Sequence, residues 1–310
     1  MNRFCLLFLL IIISVIRCTT KEQKVLSYET GNIIHIDSFP STAVDPRSVH
    51  IWLPSDYDST KKYAVVYMHD GQMLFDSSNT WNKKEWQVDE TMNRLLTDGK
   101  IKDAIVVGID NNGSRRISEY FPEAVFAEVP DEISDQLLSA QLSGEPLGNE
   151  YLEFLVLELK PYIDSVYSTH SDHGNTFVMG SSMGGLISLY AICEYPKVFG
   201  GAACISTHWP LAFFKDTETF DWPLTYRHYL ENNLPSPTDH KIYFDHGTAT
   251  LDSLYAPHQI LVDSIMIIHG YTSDNWMTKV FPGDEHSEVP WARRLHIPLE
   301  FLLGISRERH

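Results

Sequence analysis

A β-prone run, a glycine-bounded serine and an apolar helical stretch follow one another in the middle of this chain. Thr176-Phe177-Val178-Met179 is typical of a strand, Gly180-Ser181-Ser182-Met183-Gly184 has the form G-x-S-x-G, and Leu186 to Glu194 has the character of a helix. The pattern predicts a strand, a sharp turn and a helix, with Ser182 raised above the end of the strand. Ser182 is therefore the candidate nucleophile, and the N–H of Met183, at a helix N-terminus, can face a developing oxyanion.

The rest of the chain alternates between predicted strands and helices. Tyr63–Met68 and Ala104–Ile109 are nearly continuous apolar runs, as expected of central parallel strands that are covered on both faces. This alternation predicts the α/β class, with a doubly wound, mostly parallel sheet and helices on both faces. The segment Phe121–Gly148 lacks periodicity and is interpreted as either an insertion over the site or a surface loop. The other predicted strands are Asn32–Ile36, Ser48–Leu53, Ala202–Ser206, Lys241–Phe244 and Trp276–Phe281, and the other predicted helices are Trp86–Leu96, Tyr151–Tyr162 and Tyr255–His269.

Charge and composition exclude some classes of partner. The chain of 310 residues has 24 Lys and Arg against 41 Asp and Glu, a formal charge of −17. Phosphate-binding surfaces need clustered Lys and Arg, and no such cluster occurs, so we expect no nucleic-acid partner. With 43% hydrophobic residues the chain can bury a full core, and we predict a single domain over residues 21–310.

The first twenty residues have the pattern of a targeting segment. Phe4–Ile16 is an apolar run too short to cross a bilayer as a stable helix, which is typical of a signal peptide. Cys18 at its end resembles the lipid-attachment site of bacterial lipoproteins, although Arg17 stands where a small residue is expected. Lipid anchoring through Cys18 and ordinary cleavage near Thr20 both stay open. Either way we expect an exported protein that is periplasmic, membrane-anchored or secreted.

The remaining cysteines and the known ligand motifs suggest no metal and no cofactor. Cys193 and Cys204 lie in apolar elements, so the sequence predicts two buried free thiols rather than a disulfide. The sequence contains no H-E-x-x-H pair, no zinc-ligand spacing, no phosphate loop and no dinucleotide fingerprint after the first central strand.

A serine nucleophile needs a base to take its proton and a carboxylate to hold that base in one tautomer. In hydrolases with this serine turn, the partners follow along the chain in the order Ser, Asp or Glu, His. Asp245 and Asp252 share one loop after the predicted strand Lys241–Phe244. Asp245 follows the strand directly and can equally be a structural turn residue, so we favour Asp252 as the acid and keep Asp245 as the alternative.

His286 is the predicted base because it follows the strand Trp276–Phe281, at the edge where catalytic residues of open α/β sheets gather. Other histidines fall within or at the end of predicted helices, where a structural role is expected. The second oxyanion donor is predicted after the first central strand, where Gly71 permits a turn that aims the N–H of Gln72 or Met73 at the site; we favour Gln72. The disfavoured histidines are His258, His269 and His296.

Several segments together resemble the putative esterase family of α/β hydrolases, which includes esterase D type enzymes, feruloyl and acetylxylan esterases, siderophore hydrolases and mycolyltransferases. The resemblance extends from about Val49 to Leu303. It implies the α/β-hydrolase fold, with Ser182 as nucleophile, Asp252 as acid and His286 as base. Many relatives place the acid nearer the Gly-Thr pair, which keeps Asp245 open. The segments are Tyr67-Met68-His69-Asp70-Gly71-Gln72, Trp86-Gln87-Val88-Asp89-Glu90, Val107-Gly108-Ile109-Asp110, Glu119-Tyr120-Phe121-Pro122, Gly180-Ser181-Ser182-Met183-Gly184-Gly185 and Gly283-Asp284-Glu285-His286.

The resemblance implies a serine esterase that hydrolyses carboxylic esters through an acyl-enzyme, with acetyl or feruloyl esters of polysaccharides as the expected substrates. His208 and Trp209, after a predicted strand, can contact a sugar or an aromatic acid; the alternative is that Trp209 packs under a loop. An enterobactin-type siderophore hydrolase is the alternative, with Arg115 and Arg116 as the adjacent basic pair for an anionic catecholate. A catalytically inactive, lipid-anchored binding protein on the same fold is the alternative from another class, and the ordered serine, acid and histidine argue against it.

Overall fold

One nine-stranded sheet organises the chain. The computed structural model describes residues 24–127, 129–131, 134–135, 138, 142, 144–210 and 222–305, so the predicted targeting segment lies outside the described residues. The strands lie in the order β1-β2-β3-β5-β4-β6-β7-β8-β9. β1, β2, β3 and β5 pair antiparallel, whereas β5, β4 and all strands from β6 onward pair parallel. The strands are β1 Lys24–Tyr28, β2 Gly31–Phe39, β3 Arg47–Leu53, β4 Ala64–His69, β5 Ala104–Ile109, β6 Thr176–Ser181, β7 Gly201–Ile205, β8 Lys241–Gly247 and β9 Trp276–Phe281.

Helices cover both faces of this sheet, as predicted. A larger apolar cluster on one face packs α4 to α8 against the strands, and a second cluster on the other face packs α1, α9 and α10. Every residue of β4, β5 and β6 is buried, which explains why these strands are continuous apolar runs in the sequence. The helices are α1 Val88–Thr97, α2 Arg116–Glu119, α3 Glu123–Phe126, α4 Gly148–Glu153, α5 Lys160–Val166, α6 Met183–Glu194, α7 Trp222–Asn233, α8 Ala256–Ile268, α9 Glu288–Arg294 and α10 His296–Leu303.

Two predicted helices differ in detail from the structure. The first begins at Val88 rather than Trp86, because Gln87 has a left-handed backbone conformation that starts the helix after it. The stretch predicted as Tyr151–Tyr162 is longer and contains a π-helical segment, Phe154–Leu159, between α4 and α5. Among the described residues no helix is both long and apolar enough to cross a bilayer.

The segment Phe121–Gly148 combines buried and exposed positions where it is described. Val125, Val129 and Leu142 are buried in the larger apolar cluster, whereas residues such as Asp131 are exposed. None of its described residues lines the cleft that contains the candidate site. The described part of this segment therefore gives no support to an insertion over the site.

The carboxyl ends of six parallel strands, β4 to β9, meet at one edge of the sheet. Ser181 at the end of β6 pairs with Ile205 of β7, and Gly247 at the end of β8 pairs with Phe281 of β9. The loops that follow these strands therefore emerge side by side, together with the turn after β4. This edge is the place where the candidate functional residues meet.

Candidate active site

Ser182 occupies a strained turn between β6 and α6. Its backbone has φ 59° and ψ −122°, a conformation that costs an L-residue on the order of 1–3 kcal/mol. The turn is held because the N–H of Ser182 donates to the carbonyl oxygen of Ile205 at 2.9 Å. The strand, turn and helix predicted from the sequence are all present, and the turn lifts the Ser182 side chain above the end of the strand.

Glycine is required beside this serine because the backbone is closely packed. A Cβ added to Gly180 would lie 2.9 Å from the carbonyl oxygen of Gly184 and 3.0 Å from the ring of His69. A Cβ on Gly185 would lie 2.9 Å from the hydroxyl of Thr207. Without a side chain at Gly180, β6 can approach α6, and without one at Gly185, α6 can approach the loop after β7.

Asp252 contacts His286 directly. Asp252 lies in the helical turn Thr250–Leu254, and His286 lies on the loop after β9; the Asp252 Oδ1 to His286 Nδ1 distance is 2.6 Å. The other carboxylate oxygen accepts hydrogen bonds at 2.6 Å from the Ser206 hydroxyl and at 2.6 Å from the N–H of Gly247. Burial alone would raise the pKa of Asp252, but these hydrogen bonds lower it below its ordinary value. The carboxylate is thus charged and fixed in orientation.

Asp245, the alternative acid, is engaged elsewhere. Its carboxylate accepts two hydrogen bonds from the guanidinium of Arg294, at 2.8 Å and 3.2 Å, and a third from the Tyr243 hydroxyl at 2.8 Å. Arg294 and Asp245 are both buried. This pair also helps to position Asp252. Arg294 donates a hydrogen bond to the Ser206 hydroxyl, which in turn donates to the Asp252 carboxylate. Between the two aspartates, the geometry brings only Asp252 to the imidazole.

Aromatic side chains confine the His286 ring. Trp291 meets it edge-on at a centroid distance of 4.9 Å, and Tyr255 does so at 5.8 Å. The Tyr255 hydroxyl lies 2.9 Å from Nδ1 of His208. The sequence reasoning missed Tyr255 and Trp291, because no motif distinguishes them from ordinary core aromatics.

The turn after β4 holds Gln72 at the same edge. Asp70 adopts a left-handed conformation, φ 58° and ψ 46°, and the turn Gly71–Met73 follows it. The Arg116 guanidinium donates to both oxygens of the Asp70 carboxylate, at 2.6 Å and 2.7 Å, and the Asn111 amide donates at 2.7 Å. Met183 is the first residue of α6, so its N–H has no acceptor within its own helix. Gln72 and Met183 therefore lie on well-anchored backbone beside Ser182.

A cleft of about 1080 Å³ opens over these residues. Ser182 and His286 line it, together with Gln72 and Arg116. The predicted histidine and tryptophan contacts do not line it: His208 is buried under Tyr255, and Trp209 is only 3% exposed. Trp209 packs against Tyr226 and Phe244, and its indole N–H donates to the Gln259 side chain at 3.1 Å. We correct that prediction, because these two side chains belong to the core.

The predicted free thiols are confirmed, since Cys193 and Cys204 are both unpaired and buried. Burial raises the pKa of both thiols, so neither is a reactive thiolate. Within the described residues, no group of three or more His, Cys, Asp or Glu side chains is arranged to hold a metal ion.

Two buried histidines near Ser182 are neutral. Burial lowers the pKa of His69 to about 3 and that of His208 to about 3. His69 Nδ1 lies 2.7 Å from the Tyr151 hydroxyl, and its Nε2 is buried with no hydrogen-bond partner among the described side chains. Protonation of either ring would bury an uncompensated charge beneath the serine turn.

We expect these histidines to make stability depend on pH. Between pH 3 and 6.5 the unfolded chain binds their protons and the folded chain does not, so stability rises with pH across that window. When the pH falls from 7 to 5, the free energy of unfolding should decrease by about 2 kcal/mol for each of these histidines. Urea unfolding of wild type and of His69→Asn at both pH values measures this term. The difference between the two pH values should be about 2 kcal/mol smaller in the variant; an equal difference would mean that His69 titrates normally in the folded state.

The sheet order and the site at the carboxyl edge define the class of protein. A doubly wound, mostly parallel sheet that carries a serine on a strand-turn-helix elbow, with an aspartate and a histidine on later loops, is the architecture of an α/β hydrolase. The chain belongs to the family described as "Putative esterase", which it matches over residues 41–292.

Known proteins similar to this chain include esterases. Uncharacterized protein YbbA of Bacillus subtilis is 26% identical over 165 residues, which cover 53% of this chain and 58% of that protein. An endo-1,4-beta-xylanase/feruloyl esterase of Xylanibacter ruminicola is 25% identical over 205 residues, covering 60% of this chain and 24% of that protein. The feruloyl esterase module from Clostridium thermocellum, solved with sinapinate, superposes with a TM-score of 0.62 at 17% identity and covers 94% of this chain and 98% of its own. The chain thus spans less than two thirds of the length of these curated relatives. The similarity to the solved structure shows a shared fold.

Proposed function

We propose that this chain is a serine esterase that hydrolyses carboxylic esters through an acyl-enzyme. The observation that carries the proposal is the 2.6 Å contact between Asp252 and His286 on the same cleft as Ser182. With Nδ1 of His286 held by the carboxylate, Nε2 is the nitrogen that is free to act as a base. The strained turn at Ser182 supports the same role, because it exposes the hydroxyl to the cleft.

In the proposed acylation, Ser182 Oγ attacks the ester carbonyl carbon while His286 Nε2 takes the hydroxyl proton. Asp252 stabilises the imidazolium that forms. The carbonyl oxygen becomes an oxyanion, which accepts hydrogen bonds from the N–H groups of Met183 and Gln72. The ester C–O bond then breaks, and the alcohol leaves with the proton from His286.

Deacylation repeats these steps with water. His286 takes a proton from a water molecule, whose oxygen attacks the acyl carbon, and the same two N–H groups hold the oxyanion. The bond to Ser182 Oγ breaks, and the serine recovers its proton from His286. The carboxylic acid is released, and no cofactor takes part in the proposed cycle.

For the substrate we propose an acetyl or feruloyl ester of a polysaccharide. The cleft is open and most of its lining residues are polar or charged, which suits a hydroxyl-rich ligand. The resemblance to a protein named endo-1,4-beta-xylanase/feruloyl esterase supports the same class. The siderophore alternative is less well supported, because both predicted basic residues are paired with carboxylates: Arg115 with Asp45 at 3.4 Å, and Arg116 with Asp70.

A substrate panel tests the proposal. We expect the purified protein to release acetate or ferulate from acetylated xylan or a feruloylated oligosaccharide, and to hydrolyse p-nitrophenyl acetate more slowly. Ser182→Ala, assayed in parallel, should remove all of these activities. Turnover of a ferric siderophore ester alone would favour the alternative substrate, whereas binding to an ester without any hydrolysis would contradict the esterase proposal.

A further inference from the structure

Trp81 is the most exposed large apolar side chain among the described residues, at 84%. An indole this exposed is accessible to a ligand, and tryptophan side chains are enriched among the residues that contribute most to binding. Trp81 also lines the cleft that contains Ser182 and His286. The sequence reasoning did not single it out, because a lone tryptophan between polar residues has no periodic context.

The segment that carries Trp81 is fixed in place. A turn on one side of it is closed by the Asp76 carboxylate, which accepts from the N–H of Ser78 at 2.8 Å. On the other side, the Asn82 amide donates to Glu288 at 2.9 Å and the Lys84 ammonium donates to the Ser287 hydroxyl at 2.8 Å. The segment that carries the indole is therefore preformed, so its backbone needs little ordering when a ligand binds.

The hydrogen bonds from Asn82 and Lys84 also indicate which part of the ester Trp81 can contact. Ser287 and Glu288 directly follow His286, so the Trp81 segment is attached to the base side of the cleft. In the proposed mechanism His286 gives its proton to the leaving alcohol, which must lie beside it. Trp81 is therefore placed to meet the alcohol part of the ester rather than its acyl part.

We propose that Trp81 is a stacking platform for a sugar ring in the alcohol part of the ester. One face of a pyranose ring presents C–H groups, which the negative face of an aromatic ring attracts. Polar side chains that line the same cleft can hydrogen-bond the ring hydroxyls; they include Asn79, Asn82, Lys84 and Glu285. This polar surround fits a sugar better than an apolar aromatic group. The inference rests on the proposed esterase function.

Two acetate esters with different alcohols test it. Trp81→Ala should lower kcat/KM for an acetylated xylo-oligosaccharide relative to that for ethyl acetate by roughly 10- to 30-fold, chiefly through KM. Trp81→Phe should recover most of that ratio, because a ring is retained. Leu157→Ala, which removes an exposed apolar side chain that does not line the cleft, is the matched control and should leave the ratio unchanged. An unchanged ratio in Trp81→Ala would overturn the proposal, whether kcat/KM for both esters stays the same or falls equally.

Direct binding separates this inference from the esterase proposal. Calorimetry with the acetylated oligosaccharide should show about 10-fold or more weaker binding to Ser182→Ala/Trp81→Ala than to Ser182→Ala. Equal binding would overturn the platform, and hydrolysis by wild type would then still support the esterase. Weaker binding together with an inactive wild type would support the platform and contradict the esterase.

Discussion

Ser182→Ala should abolish ester turnover, with a loss in kcat on the order of a million-fold, as when serine proteases lose their nucleophile. Without Oγ no acyl-enzyme can form, and the oxyanion donors and the cleft can give only the residual catalysis of a bound ester. The fold should survive, because alanine fills the same turn and the N–H of residue 182 still bonds to Ile205. Initial rates with p-nitrophenyl acetate and a thermal unfolding curve measure the two effects.

The neighbouring serine provides the control. Ser181→Ala removes a second hydroxyl that lines the cleft, and its loss of turnover should stay below about tenfold. A serine-directed phosphonate followed by peptide mass spectrometry should modify Ser182 alone. Modification of Ser181, or undiminished turnover by Ser182→Ala, would refute the assigned nucleophile.

Asp252→Asn should lower kcat by about ten-thousandfold. The asparagine keeps the shape of the site, but its amide favours the imidazole tautomer whose Nε2 carries a proton and cannot act as a base. The hydrogen bonds that Ser206 and Gly247 donate to the present carboxylate should keep the loop in position. Steady-state kinetics near neutral pH measure the loss.

Asp245→Asn is the matched variant, since it makes the same chemical change nearby; Asp245 lies within β8 rather than on the loop of Asp252, where the sequence had placed it. The substitution removes the buried carboxylate that pairs with Arg294 and leaves Asp284, at 3.1 Å, as the closest carboxylate to the guanidinium, so we expect a loss of about 3 kcal/mol in the free energy of unfolding. The turnover of the folded fraction should fall far less than in Asp252→Asn. If Asp245→Asn instead loses turnover while keeping its stability, the acid has been misassigned although the nucleophile stands.

The sequence was sufficient for the fold class and for the elements that carry the candidate site. Central strands buried on both faces must be apolar throughout, and the serine turn must have glycine where backbones touch, so both leave local patterns. The family resemblance is likewise confirmed. The roles of Ser182, Asp252 and His286 stay predictions, with a geometry that supports them.

What the sequence did not reveal depends on contacts between distant segments. Asp245 is bound by Arg294, which follows it by 49 positions, so nothing near Asp245 indicates that its carboxylate is engaged. Trp209 was expected at the surface of the site because it follows a strand, yet Tyr226 and Phe244 enclose it. In the same way, Trp81 looks like any loop residue until its segment is seen beside the loop of His286.

The strand before His286 is among the least protected strands of the sheet. β9 pairs with β8 alone, and its residues are half-buried or exposed, whereas β6 before Ser182 is buried throughout. Strands at an edge open more readily than central ones. In the proposed mechanism, local opening of β9 would displace His286 and stop turnover while the core is still folded. Substitutions that strengthen the pairing of β9 with β8 would lengthen the time for which turnover persists, even where they leave the global free energy of unfolding unchanged.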